Sequence, residues 1–81
     1  MKLFVGGLPF SVDDRELQGM FEAYGKVGSA KIITDRETGK SRGFGFVEFA
    51  DDKEGEAAIK DLNGSSHEGR QLKVNVAEDK P

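Results

Sequence analysis

Apolar residues along this chain switch from a strand spacing to a helix spacing and back, twice, and that double alternation restricts the fold more than any other feature. Lys2 to Val5 is a short β-type run broken by Gly6 and Gly7. Leu17, Met20, Phe21 and Tyr24 then recur at i, i+3, i+4 and i+7, which is one apolar face of a helix. Ser11 with Asp14 three residues later resembles a capping box, and Gly25 suits the left-handed position just past the helix end. Val27 to Thr34, with the β-branched pair Ile32 and Ile33, reads as a second strand, and Asp35 to Ser41 as a polar loop turning at Gly39. Arg42 to Phe49, RGFGFVEF, is the third strand. Asp51 and Glu54 repeat the cap pattern ahead of Ala58, Ile59 and Leu62, and Asn63 with Gly64 ends the second helix. Gly69 turns the chain into Leu72, Val74 and Val76, which alternate with Gln71, Lys73 and Asn75 as in a half-buried strand.

The order strand, helix, strand, strand, helix, strand is two β-α-β halves. It predicts an α+β, ferredoxin-like sandwich, with one four-stranded antiparallel sheet carrying both helices on one face. A chain of 81 residues has room for one compact core, and no repeat or linker interrupts it. Residues 1–78 are expected to form the domain and residues 79–81 a polar C-terminal tail. The second face of the sheet has no cover in this chain, so function is sought there.

Successive side chains of a strand point to opposite sides, which lets position number assign a face. In the third strand Val47 and Phe49 are odd, while Arg42, Phe44, Phe46 and Glu48 are even. A buried face does not take both Arg42 and Glu48 unpaired, so the odd side meets the helices and the even side meets water. In the first strand Leu3 and Val5 form a core pair, which puts Lys2 and Phe4 outside. Ala30 and Ile32 suit the core in the second strand, leaving Ser29, Lys31 and Ile33 outward; Gln71, Lys73 and Asn75 face out in the last. The first and third strands are neighbours in this topology, so Phe4, Phe44 and Phe46 meet on the open face among Lys2, Lys31, Arg42 and Lys73. Flat aromatic rings ringed by cations suit nucleobases and phosphates: bases stack on Phe, and Lys or Arg meets the backbone.

The formal net charge of −3 argues at first against such a partner. Its distribution does not. Acids concentrate in the helices, with Asp13, Asp14, Glu16 and Glu22 against Arg15, and Asp51, Asp52, Glu54, Glu56 and Asp61 against Lys53 and Lys60. Residues 26–42 reverse the sign, with Lys26, Lys31, Arg36, Lys40 and Arg42 against Asp35 and Glu37. Glu48 is the one acid among the strand residues assigned outward.

RGFGFVEF, Arg42 to Phe49, resembles the octamer motif of the RNA recognition motif (RRM) family at every position, and LFVGGL, Leu3 to Leu8, resembles its hexamer motif. The order of elements agrees across essentially the whole chain, and the stretch around TDRETGKSRGFGFVEF is similar to single-RRM glycine-rich RNA-binding proteins and small bacterial RRM proteins. The resemblance implies that residues 1–78 bind short single-stranded RNA across the sheet. It implies base stacking on Phe4 and Phe46, insertion of Phe44 between or against sugars, and a phosphate contact at Arg42. Lys2, Lys31, Ile33, Lys73 and Asn75 fall where family members add base or backbone contacts, and the main chain near Ala77 and Glu78 where they read a base edge. Gly7 stands where many members have Asn, and the acidic Glu78 and Asp79 follow the last strand.

The remaining residues read as structural. Phe21, Tyr24 and Phe49 belong to the core. His67 sits in a polar turn, and the chain has no Cys, so no zinc-type ligand set, thiol nucleophile or disulfide is available. The acid pairs Asp13/Asp14 and Asp51/Asp52 suit helix N-termini, and no GxxxxGK[ST] loop occurs. No enzyme, cofactor, metal or membrane partner is expected, and the missing cysteines and absent signal-type segment suggest a cytoplasmic monomer. Two alternatives stay open: single-stranded DNA, since stacking does not distinguish the sugar, and a protein-interaction module using the acidic helical face.

Overall fold

The computed structural model describes residues 1–67 and 69–77; Glu68, the side chain of His67 and residues 78–81, which include the expected tail, lie outside the described residues. The elements run β1 (Lys2–Gly6), α1 (Asp14–Glu22), β2 (Val27–Thr34), β3 (Ser41–Phe49), α2 (Asp52–Leu62), β4 (Ser66–His67), β5 (Arg70–Gln71) and β6 (Lys73–Val76). Four of the strands form an antiparallel sheet in the order β2-β3-β1-β6. β4 and β5 form a separate two-stranded hairpin, which the sequence pattern does not separate from the last strand.

The two helices cover one face of the sheet. Leu3, Val5, Ile32, Val47, Phe49 and Val74 from the strands share a buried cluster with Leu17 and Phe21 of α1 and Ala58 and Leu62 of α2. Phe21 and Phe49 are both fully buried, their ring centroids 6.3 Å apart. Close approach of α1 depends on Gly45: a Cβ there would stand 2.5 Å from the Lys31 carbonyl and 3.1 Å from a Leu17 methyl. Polar side chains fasten the same elements. Asp14 accepts from the Ile32 amide at 2.7 Å, tying α1 to β2 beside a register shift, and Asn63 accepts from the Val74 amide at 3.1 Å, tying the end of α2 to β6.

Several local details differ from the sequence pattern. The cap of α1 is Asp13, which accepts from the Glu16 amide at 2.8 Å; Ser11 lies two residues upstream and the helix begins later than the capping box implies. A carboxylate two positions nearer the apolar stripe serves the same orphan amide with the added benefit of charge at the positive helix end. Asp51 caps α2 as expected, accepting from the Lys53 amide. Gly39 and Gly69 turn at φ +73° and +79°, whereas Gly25, at φ +156°, lies outside the left-handed helical region. Val76 is 45% exposed: it pairs with Leu3, but it is the last residue of the edge strand β6. Tyr24 is half-buried rather than fully in the core. Burial, with the charge of and a hydrogen bond to Asp61, raises its phenol above the ordinary value of 10.0 and links the end of α1 to α2.

Two measurements check this packing. Phe49→Ala empties a fully buried site and should cost about 3–5 kcal/mol, read as a lowered melting temperature. A raised phenol pKa means that its contribution to stability is complete below pH 10 and is lost as pH rises through the folded value. Tyr24 is the one tyrosine and the chain has no tryptophan, so absorbance at 295 nm should show a single transition above pH 10, moved back toward it by Asp61→Asn.

Candidate nucleic-acid interface

The open face is organised by the register of four strands. Lys31 of β2 is paired with Phe46 of β3, Phe46 with Phe4 of β1, and Phe4 with Asn75 of β6, so these four residues form one line straight across the sheet. Directly paired residues on one face are close enough for their side chains to interact. A second line runs Phe44, Gly6, Lys73, and a third runs Ser29, Glu48, Lys2. Eight of the nine residues singled out in the sequence, all but Arg42, lie in or beside these lines by pairing or position. Arg42 precedes them on β3, its guanidinium 6.0 Å from the Phe44 ring centroid.

The three rings form a continuous platform. Phe4 lies 5.7 Å from Phe44 with the planes tilted by 34°, and 5.9 Å from Phe46 in an edge-to-face arrangement at 67°. Both separations are in the range where aromatic pairs attract, so the rings support one another while each keeps part of its surface in water. Lys2 Nζ stands 5.0 Å above the Phe46 centroid, which places one cation on the platform itself. Gly6 leaves room for the Phe4 ring: a Cβ at that position would stand 3.0 Å from it.

Beside Phe46 the face dips into a hollow of about 250 Å³ lined by Lys2, Ser29, Lys31, Ile33 and Glu48. Ile33, half-buried at the second register shift of β2, gives it an aliphatic wall. Glu48 has a structural setting here: it is the cross-strand partner of Lys2, and the Ser29 hydroxyl donates to its Oε1 at 3.4 Å. Opposite charges in directly paired positions favour the register.

Two residues that sequence parity misses stand outside the sheet. Phe10, between β1 and α1, is 61% exposed, and the Arg70 guanidinium of β5 lies 4.7 Å from its ring centroid. Phe10 belongs to neither periodic pattern, and that exclusion is the available signal. Among the described residues no three His, Cys, Asp or Glu side chains gather to hold a metal ion, and no helix is long and apolar enough to cross a membrane.

Comparison with known proteins bears on what this face is for. A family model described as RNA recognition motif matches residues 3–73. The mitochondrial glycine-rich RNA-binding protein 2 of Arabidopsis thaliana is 50% identical over 80 residues, which is 99% of this chain and 51% of that protein. The chain spans between 25% and 56% of the length of such curated relatives, among them the chloroplastic 31 kDa ribonucleoprotein of Nicotiana sylvestris, 49% identical over 98% of this chain. In solved structures, the chain is similar to "RNA Binding Protein PG1" with a TM-score of 0.94 and 46% identity, covering 100% of this chain and 98% of that one. It is also similar to a chain of the "SXL-LETHAL PROTEIN/RNA COMPLEX", with a TM-score of 0.91 and 38% identity, covering 99% of this chain and 48% of that one.

The platform geometry carries its own test. Gly6→Ala should leave the melting temperature nearly unchanged, because the ring it meets is the movable end of a side chain, yet shift the Phe4 and Phe44 ring resonances in an NMR spectrum.

Proposed function

This chain belongs to the RNA recognition motif family, and from that premise we propose that it binds short single-stranded RNA across the open face of its sheet. The observation that carries the reading is the line Lys31, Phe46, Phe4, Asn75, with Phe44 5.7 Å from Phe4. Phe4 and Phe46 take successive bases by stacking, and Phe44 packs against the sugars between them. Arg42, Lys31, Lys73 and Lys2 meet phosphates, while Asn75 and Ile33 line the path as hydrogen-bonding and apolar contacts. Residues 1–78 are the binding domain, and residues 79–81 a polar tail.

The proposed role is that of a binding module with no catalytic step. It works as a monomer, because one sheet face supplies every group the reading uses. Single-stranded DNA competes for the same rings, and 2′-hydroxyl contacts decide between the two. The acidic helices are less suited to a second role in docking proteins. Asp13 and Asp51 are helix caps and Asp14 holds the Ile32 amide, so these carboxylates already serve the fold. We propose a cytoplasmic location, with which a chain free of cysteine is compatible; the chloroplastic and mitochondrial labels belong to its relatives.

Binding should be modest, since four cations act within a chain of net charge −3. With up to four phosphate contacts, log K should fall against log salt with a slope no steeper than about −3. Phe44 and Phe46 are both partly exposed, so replacing them together by Ala should leave the domain folded and weaken binding to a random single-stranded RNA pool by about two orders of magnitude or more. Unchanged binding by the folded double variant would sink the sheet-face mechanism.

A further inference from the structure

We infer that Glu48 reads the edge of the base stacked on Phe46 and selects guanine there. The inference rests on the reading of the sheet face as an RNA site and adds a base preference to it. Glu48 is the one acid among the outward residues of the four strands. On a face that meets a polyanion, a carboxylate weakens binding through repulsion from phosphate unless it also meets hydrogen-bond donors, and the donors that such a ligand carries are on its bases. Glu48 follows Phe46 by two positions on β3 and shares its face, so the two are separated by roughly 7 Å along the strand, about the length of a base. A base that lies on the Phe46 ring and extends along β3 brings its edge over the hollow of about 250 Å³ lined by Lys2, Ser29, Lys31, Ile33, Phe46 and Glu48.

The carboxylate is exposed, and its neighbours hold it without using it up. The Ser29 hydroxyl donates to Oε1 at 3.4 Å and Lys2 is the cross-strand partner, whereas an ionised carboxylate offers about four acceptor positions on its two oxygens. A pair of acceptors with no donor sorts the four bases. Guanine presents two adjacent donors, N1–H and the 2-amino group, which match the two oxygens. Adenine and cytosine each present one amino group beside a ring nitrogen whose lone pair faces the second oxygen. Uracil presents one N–H between two carbonyls. Bases in single-stranded RNA expose these edges, and a matched two-point contact discriminates where a single one does not. Lys2 and Lys31 beside the hollow offset the negative charge against the phosphates that flank the base.

The test titrates the single-stranded tetranucleotides UUGU, UUAU, UUCU and UUUU, and UUIU, whose inosine lacks the 2-amino group, against the wild type, Glu48→Gln and Glu48→Ala. The wild type should bind UUGU at least about five-fold more tightly than the other three standard RNAs, and inosine should lose most of that advantage. Both variants should keep the melting temperature, bring UUGU down to the level of the rest, and bind the non-guanine RNAs as tightly as the wild type or more so, because a negative charge has gone. Variants that tighten every RNA alike would reduce Glu48 to a repulsive charge, variants that weaken every RNA alike would reduce it to support for the strand register, and inosine equal to guanine would remove the two-donor contact; each overturns the inference. Wild type binding all five RNAs equally removes only the role of Glu48; wild type binding none of them removes the sheet reading as well.

Discussion

The antiparallel register of β1 against β3 decides both faces of the sheet at once. Leu3 opposite Val47 and Val5 opposite Gly45 go to the helices, while Lys2 opposite Glu48 and Phe4 opposite Phe46 go to water. A slip of one residue would exchange the two sets, sending Phe46 into the core and Val47 into solvent, so the register is strongly specified by burial. The open aromatic face is therefore held by the same ladder that holds the core. Mutations that loosen the helices from β3 act on the aromatic platform through the strand they share.

Glycine does for the helix side what phenylalanine does for the open side. At Gly45 a side chain would crowd both the Lys31 carbonyl of β2 and Leu17 of α1, and at Gly6 it would crowd the Phe4 ring. Both sit in the central strands, where a glycine ordinarily weakens a sheet. Here the missing side chains leave room for Leu17 on one face and for the Phe4 ring on the other.

Side-chain parity makes most of this division legible in the amino-acid sequence itself. It works because the central strands β1 and β3 pair without irregularity, so alternation along each strand survives as a line across the sheet. It is less direct in β2, where register shifts lie between Val27 and Ser29 and between Ile32 and Thr34, so that Val27 pairs with Phe49 on the core side and Ser29 with Glu48 on the other. The choice of Asp13 over Ser11 as cap, and of Asp61 as partner to Tyr24, depends on where each helix stops and what it faces, which spacing alone does not encode. The β4–β5 hairpin has only two residues per strand, too few for a period to show. Phe10 and Arg70, 60 residues apart in sequence, meet only because that hairpin folds back past the β1–α1 loop.

The acidic balance of the chain fits this division of faces. Carboxylates cap helices and hold backbone amides on the far side, and the cations gather on β1, β2, β3 and β6 around the rings, so net charge understates the local field that a nucleic acid would meet. The most direct measurement is a ¹H–¹⁵N NMR titration with short single-stranded RNA and DNA oligonucleotides. The account predicts that the largest shifts fall on β1 and β3 around Phe4, Phe44 and Phe46 and extend to Lys31 and Asn75, with the helices quiet. Shifts confined to α1 and α2, with the sheet unmoved, would contradict it.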